Sequence, residues 1–382
     1  MWKGRYRCRG MRHHRRVTAL LLLVSFVLIV VGALLFTNAV EWLGERLNLG
    51  ESAVGSLLAA VGTALPESLI PAVAVLGGQP GSEEVAIGAI IGAPFLLGTV
   101  AMIVIGVSAL AFRKRREKGR EISADPRGMQ RDLIFFLIFF AAGVALGGFG
   151  LSHGVRIAAA VVLVLAYIAY AIRTVRKGGD SGGEELQALI FHRSAGQNPA
   201  NWRMVVQLLV GLGGIVGGAE LFVEEVIKIS ESLGIGALVL SLVLAPLATE
   251  LPEKANSILW VRDDKDSLAV GNVSGAMAFQ ATMPVAFGLA FTEWSLDPVA
   301  LAAGGVGVLG GAVALVALRR RSFGPVPILA WTGLFGAFLV FAAVAPSPEE
   351  APPPGPPPGA PLVPGVPPPP GGAPVPAPAP AP

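Results

Sequence analysis

Apolar segments of about 20 residues, the length that an α-helix needs to cross a bilayer, recur along most of this chain. The approximate ranges of the ten predicted spans are 17–37, 52–77, 85–112, 132–150, 154–173, 204–223, 235–260, 267–291, 297–318 and 325–345. Because backbone polar groups inside a bilayer must be paired within the structure, the sequence predicts an all-α, polytopic membrane protein.

The composition agrees with this class and excludes others. Of the 382 residues, 53% are hydrophobic and only 14% are charged. The single cysteine, Cys8, excludes an intramolecular disulfide. The net charge is only +3, and the basic residues stand in short clusters between apolar segments, which suits an anionic lipid surface better than a nucleic-acid groove. We therefore expect contact with membrane lipid and no nucleic-acid partner.

Two copies of the sequence Thr-x-Leu-Pro-Glu indicate that the chain contains two related halves. Thr63–Glu67 is the first copy and Thr249–Glu253 is the second. Ahead of each copy, Gly32–Phe36 matches Gly218–Phe222 at the same spacing. The ten spans thus form two repeats of five, and an odd number of spans makes the second repeat enter the membrane from the opposite face. Such inverted repeats are typical of secondary transporters.

On this basis the chain has five parts. They are a basic N-terminal segment 1–16, a first transmembrane repeat 17–173, a polar connector 174–203, a second transmembrane repeat 204–345 and a Pro/Ala/Gly-rich tail 346–382. The tail cannot bury a core, so we expect it to be disordered and extended. A weak partner for this proline-rich sequence is the alternative.

Lysine and arginine residues indicate the orientation. With the N-terminus outside, the basic loops 113–131, 173–203, 261–266 and 319–321 all face the cytoplasm. The basic segment 1–16 favours the opposite orientation, or the start of a signal peptide. We prefer the N-terminus outside, and both orientations stay open.

Glu67 and Glu253 are the strongest candidates for function. A carboxylate inside a membrane span is costly and usually marks a path for ions or protons. The neighbouring prolines, Pro66 and Pro252, remove a helix hydrogen bond and free a carbonyl, so we expect both helices to be broken there. The alternative is that each glutamate caps a helix or pairs with a basic residue at the membrane surface.

Further oxygen atoms accompany these acids. Thr63 and Thr249 each precede a glutamate by four residues, which places hydroxyl and carboxylate on one helix face. A hard cation takes such oxygen ligands, so the set suits calcium, sodium or a proton, although each threonine could instead bond to its own helix. Glu250 is a candidate third ligand or proton carrier, with surface placement as the alternative. Asn272 offers an amide oxygen.

Four glycines on the following spans are predicted to let helices approach closely: Gly88, Gly92, Gly271 and Gly275. The four histidines lie at a terminus or in predicted loops, without ligand-spaced partners in a span, and no nucleophile elbow or phosphate-binding loop occurs. We therefore predict that the chain is not an enzyme and needs no cofactor.

The paired segments 50–105 and 234–291 resemble the alpha repeats of the sodium/calcium exchanger family, within the cation/calcium antiporter superfamily, in a divergent prokaryotic form. Those repeats commonly carry Gly-Thr-Ser-x-Pro-Glu followed by Gly-Asn-x-x-Gly-Ser-Asn. The matching segments here are Gly62–Glu67, Ala248–Glu253, Gly88–Pro94 and Gly271–Met277.

The resemblance implies that Glu67 and Glu253 bind calcium and that neighbouring Thr and Asn groups help to bind calcium or sodium. The chain departs from the family pattern at Ala64, Ala89, Ala93, Pro94, Ala276 and Met277. These are positions expected to complete the sodium sites, so the coupling ion stays open. We expect an antiporter in the plasma (inner) membrane that exchanges calcium, or a similar divalent cation, for sodium by alternating access. The alternatives are a cation/proton exchanger and a degenerate, non-transporting scaffold.

Overall fold

The structure is a computed structural model, and it describes residues 3–46, 59–117, 119, 121–122, 126–176, 188–192 and 199–345. The proline-rich tail and much of the connector, about which predictions were made above, lie outside these residues. The compact unit that contains the helices ends at Ser347.

Helices account for nearly all of the described chain. The α-helices are α1 Lys3–Arg46, α2 Ala59–Gly77, α3 Ser82–Leu96, α4 Met102–Ala111, α5 Pro126–Gly147, α6 His153–Arg176, α7 Asn201–Leu233, α8 Ala237–Arg262, α9 Asp266–Gln280, α10 Met283–Phe291, α11 Pro298–Arg319 and α12 Pro325–Val344. A π-helical turn, Leu97–Ala101, joins α3 to α4. Within the described ranges β-structure is limited to one isolated bridge between Glu121 and Ser322.

Eight segments of this set are long and apolar enough to cross a membrane: Val17–Leu43, Ser82–Ala111, Arg127–Gly147, His153–Thr174, Asn201–Leu233, Asp266–Phe291, Pro298–Arg319 and Pro325–Val344. In the described residues of the two remaining helices, α2 and α8, the apolar runs are shorter, Glu67–Gly77 and Ala237–Glu250. The all-α, polytopic fold predicted from the sequence is confirmed.

The expected helix breaks at the Pro-Glu sequences were wrong. Helix α2 continues through Pro66, and α8 continues through Pro246 and Pro252. A proline withdraws only its own N–H from the helix, and a helix packed among others tolerates that loss. The break lies instead between α9 and α10, where Thr282 leaves helical geometry and Pro284 opens the next helix.

The two halves pack on each other through equivalent helices. Helix α1 lies along its counterpart α7, with Gly32 and Gly211 in mutual contact. A Cβ atom at Gly32 would lie 2.8 Å from the carbonyl oxygen of Gly211, and one at Gly211 would lie 2.9 Å from that of Gly32. Helix α3 packs on α11, while its counterpart α9 packs on α5. Since α1 is part of this packing, its apolar stretch is a structural element of the fold.

Helix α3 packs closely along α8, because Gly88 and Gly92 bring its backbone onto the carbonyls of Leu238 and Leu242, where any Cβ would collide. The close-packing role predicted for Gly88 and Gly92 is confirmed. At the repeat spacing, Leu238 and Leu242 correspond to Ser52 and Ser56, so the equivalent contact of α9 falls outside the described residues.

In the second half the same role stays a prediction. No described atom lies within 4 Å of the position of the Gly275 Cβ, and Gly271 makes an ordinary contact, at 3.5 Å, with the Met129 side chain on α5.

Candidate cation-binding site

Glu67 lies near the middle of α2 and is 9% exposed. A position so deep in a packed helix does not fit a helix cap or a surface ion pair, the alternative considered from the sequence. Helix α2 contacts α1, α3 and α7, so protein and not lipid surrounds much of it. The carboxyl group is therefore held inside the bundle.

Glu250, in α8, is also buried, at 4% exposed. Surface placement, the alternative considered for this residue, is wrong. Its carboxyl group lies close enough to that of Glu67 for the two to interact, and its Oε2 atom lies 3.2 Å from Nζ of Lys254. Two carboxyl groups attract each other only when a proton or a cation lies between them. The structure thus brings together one acid from each half.

Other candidates are only partly described. Glu253 lies in α8 and Thr63 in α2, but their side chains lie outside the described residues. The hydroxyl of Thr249 lies 3.3 Å from the carbonyl oxygen of Ala245, on its own helix. This contact matches the back-bonding alternative, and a hydroxyl oxygen that donates one hydrogen bond still keeps lone pairs for a cation. The ligand roles of all three stay predictions.

Asn272 lies on α9, eight residues before Gln280, so both side chains share one face of the helix. Several buried polar atoms have no hydrogen-bond partner among the described residues, and they include Asn272 Oδ1, Gln280 Nε2 and Glu250 Oε1. Buried polar atoms are normally paired with protein, water or an ion. The side chain of Gln280 therefore joins the candidates, although it was not among the predicted ligands.

Asp132 is a buried acid that the sequence interpretation missed. It is 9% exposed on α5 and accepts hydrogen bonds from Tyr170 on α6, at 2.6 Å, and from Ser274 on α9, at 3.0 Å. Arg131 also approaches it, at 3.5 Å. The three side chains connect α5, α6 and α9, and Ser274 is two residues from Asn272 on α9. Asp132 was missed because it is the first residue of a predicted span, where an acid is expected to belong to the preceding loop.

A resident metal site needs several His, Cys, Asp or Glu side chains close together. In the part of the chain that the structure describes, no group of three or more His, Cys, Asp and Glu side chains could hold a metal ion. Glu67 and Glu250 are a pair, and further oxygen ligands would have to come from amide, hydroxyl or carbonyl groups. Such a mixed oxygen set suits a hard cation that passes through, since transported ions need ligands that also release them.

Curated relatives cover most of the chain. An uncharacterized membrane protein, MJ0091, of Methanocaldococcus jannaschii is 29% identical over 283 residues, which are 73% of this chain and 84% of that protein. The putative antiporter CaxA of Alkalimonas amylolytica is 21% identical over 80% of this chain and 90% of its own. The inner membrane protein YrbG of Escherichia coli is 24% identical over 73% and 82%, respectively.

Solved structures share the fold. The H⁺/Ca²⁺ exchanger CAX superposes with a TM-score of 0.67 at 21% identity, covering 86% of this chain and 82% of the other. The sodium-calcium exchanger NCX_Mj superposes with a TM-score of 0.54 at 23% identity, covering 86% and 99%. The family model described as sodium/calcium exchanger protein matches residues 17–175 and 203–344, the two helical halves. The chain therefore belongs to the sodium/calcium exchanger protein family of membrane antiporters.

Proposed function

We propose that the chain exchanges calcium, or a similar divalent cation, for sodium across the plasma (inner) membrane by alternating access. The observation that carries this proposal is the buried contact between Glu67 of the first half and Glu250 of the second. Acids inside a membrane bundle mark a substrate path, and here the contact lies between the two repeats. Inorganic cations are the substrates, and no cofactor enters the proposal.

Calcium binds six to eight oxygen ligands in flexible geometry. Glu67 and Glu250 supply charged oxygens, and Asn272 supplies a buried amide oxygen without a described partner. Glu253, Thr63 and Thr249 are the further ligands that we propose. The close α3–α8 packing supports a site that is sealed beside α3.

A cation/proton exchanger is the second candidate. The closeness of the Glu67 and Glu250 carboxyl groups favours it, because two neighbouring acids favour retention of one proton, which an arriving cation can displace. The similar fold of CAX, which is described as an H⁺/Ca²⁺ exchanger, supports the same direction. The non-transporting scaffold has no comparable observation in its favour.

Counterflow in proteoliposomes separates these functions. Purified protein is reconstituted, and uptake of labelled calcium is followed first with an outward sodium gradient and then with a proton gradient. Uptake driven by sodium supports the first candidate, and uptake driven only by protons supports the second. Absence of uptake with both gradients would reject exchange and leave the scaffold.

Charge removal tests the site itself. Glu67→Gln and Glu253→Gln should each abolish calcium flux while the protein still purifies as a folded, monodisperse species. Glu231→Gln is the matched control, because this glutamate is exposed near the end of α7. Wild-type flux in both site variants would show that the acids do not bind the cation.

A further inference from the structure

We propose that Lys254 is a built-in counter-ion of the cation site, whose ammonium group competes with the transported cation for the carboxylate of Glu250. This inference rests on the proposed function, because it concerns the same site. It assigns to Lys254 a role in setting the affinity for divalent cations and the net charge that the site presents to them.

The contact places this lysine in the interior. Its Nζ atom lies 3.2 Å from Oε2 of Glu250, and the two side chains are 12% and 5% exposed. Glutamate four residues ahead of lysine is the favourable order for an ion pair on one helix. The pair is therefore preformed within α8, and it is shielded from the water that weakens ion pairs at a protein surface.

Glu250 also interacts with Glu67 on α2. A chain of three groups therefore runs from Lys254 through Glu250 to Glu67, from one repeat to the other. A cation that binds between the two carboxyl groups must weaken the ion pair between Lys254 and Glu250. Competition follows because one carboxylate has a limited number of lone pairs for two positive partners.

The two repeats support the idea that these charges belong together. At the spacing that aligns Glu67 with Glu253, the first-half counterparts of Glu250 and Lys254 are Ala64 and Ser68. Both charges are thus confined to the second copy, and together they add no net charge. A lone additional glutamate would be an unpaired buried charge, which the membrane interior disfavours strongly.

The charge balance indicates a preference for a divalent cation. Glu67, Glu250 and Glu253 carry three formal negative charges when ionised, and Lys254 offsets one of them. Two remaining charges match one divalent cation, or two monovalent cations that return in exchange. Without the lysine, the site would attract more positive charge than one divalent cation supplies.

The competing role of Lys254 predicts that removing Lys254 and removing the charge of Glu250 shift the calcium affinity in opposite directions. We expect Lys254→Met to lower the half-saturating calcium concentration by about tenfold, because a competing unit charge is removed while the length of the side chain is kept. Glu250→Gln should raise it by about tenfold, since Lys254 is then unopposed. The double variant should lie well below Glu250→Gln alone, because the unopposed positive charge is gone.

Lys228→Met is the matched control. Lys228 forms the same kind of pair with Glu224, four residues earlier on α7, at 2.6 Å. An unchanged or raised half-saturating concentration in Lys254→Met would overturn the inference, and so would a double variant equal to Glu250→Gln. Lys254→Met alone is decisive if Glu250→Gln fails to fold. If Glu67→Gln leaves flux intact, the proposed function falls instead, and the two failures are distinguishable.

Discussion

Arg116, in the loop after α4, donates from Nη2 to both carboxylate oxygens of Asp266, the first residue of α9, at 2.6 Å each. Both side chains are fully buried, and Arg116 also bonds to Asp264 at 3.3 Å and to the carbonyl oxygen of Glu121 at 3.1 Å. A loop of the first half is thereby fastened to the start of the helix that carries Asn272.

Removing one member of this pair should destabilise the fold. Asp266→Asn removes the buried counter-charge of Arg116 and leaves it the longer contact with Asp264, so we expect a loss of up to about 3–5 kcal/mol, the range typical for a broken buried pair. Thermal unfolding in detergent measures the effect. Arg115→Gln is the control, because Arg115 lies 4.0 Å from Asp263 with 67% of its side chain exposed. Equal melting temperatures for the two variants would contradict the structural importance of the Arg116 pair.

Alanine substitutions should distinguish Gly92, which packs against α8, from Gly275, which has no described neighbour within 4 Å. Gly92→Ala places a Cβ against the carbonyl oxygen of Leu242, so α3 must move away from α8 and folded yield should fall sharply. Gly275→Ala meets no described atom within 4 Å, and its stability should equal or exceed that of the wild type. Yield and melting temperature of both variants provide the comparison. A stable Gly92→Ala protein would mean that α3 and α8 are not in this close contact.

Asp132 should stabilise the fold chiefly by accepting hydrogen bonds, and less by its negative charge. Asp132→Ala leaves the hydroxyl of Tyr170 without its acceptor, at a loss of about 1–3 kcal/mol, whereas Ser274 keeps the carbonyl oxygen of Gly271 at 3.3 Å. Asp132→Asn keeps an amide oxygen for one of them and should recover part of the stability. Melting temperatures decide between these cases. Identical behaviour of the two variants would show that the hydrogen bonds contribute little.

Calcium should stabilise the folded protein if the proposed site is correct. A ligand at about 100 times its Kd adds about 2.7 kcal/mol to the stability of the folded form. We expect a calcium-dependent rise in melting temperature for the wild type and none for Glu67→Gln. Glu231→Gln should respond as the wild type does. A full response in Glu67→Gln would place calcium elsewhere.

The sequence was a good guide to the helices because membrane burial requires long apolar runs. It was less reliable at their ends. The sixth span was expected at 204–223, yet α7 continues to Leu233. This extension carries Glu224, Glu225 and Lys228, whose ion pairs at 2.6 and 2.9 Å support a polar helix end that hydropathy does not reveal.

The site was predictable by residue type but not by contact. A repeated acid beside proline identified Glu67 and drew attention to Glu250, because charge is costly in a membrane. Their mutual interaction depends on how α2 and α8 approach each other, which local sequence does not encode. Asp132 was missed for the same reason, since its partners Tyr170 and Ser274 are distant along the chain.

The contact between Gly32 on α1 and Gly211 on α7 leaves no room for a side chain between these two helices. Small residues let helix backbones meet this closely, and the two helices then share one continuous surface. One helix from each half therefore forms a single rigid unit, and any rearrangement of the bundle has to move the other helices around it.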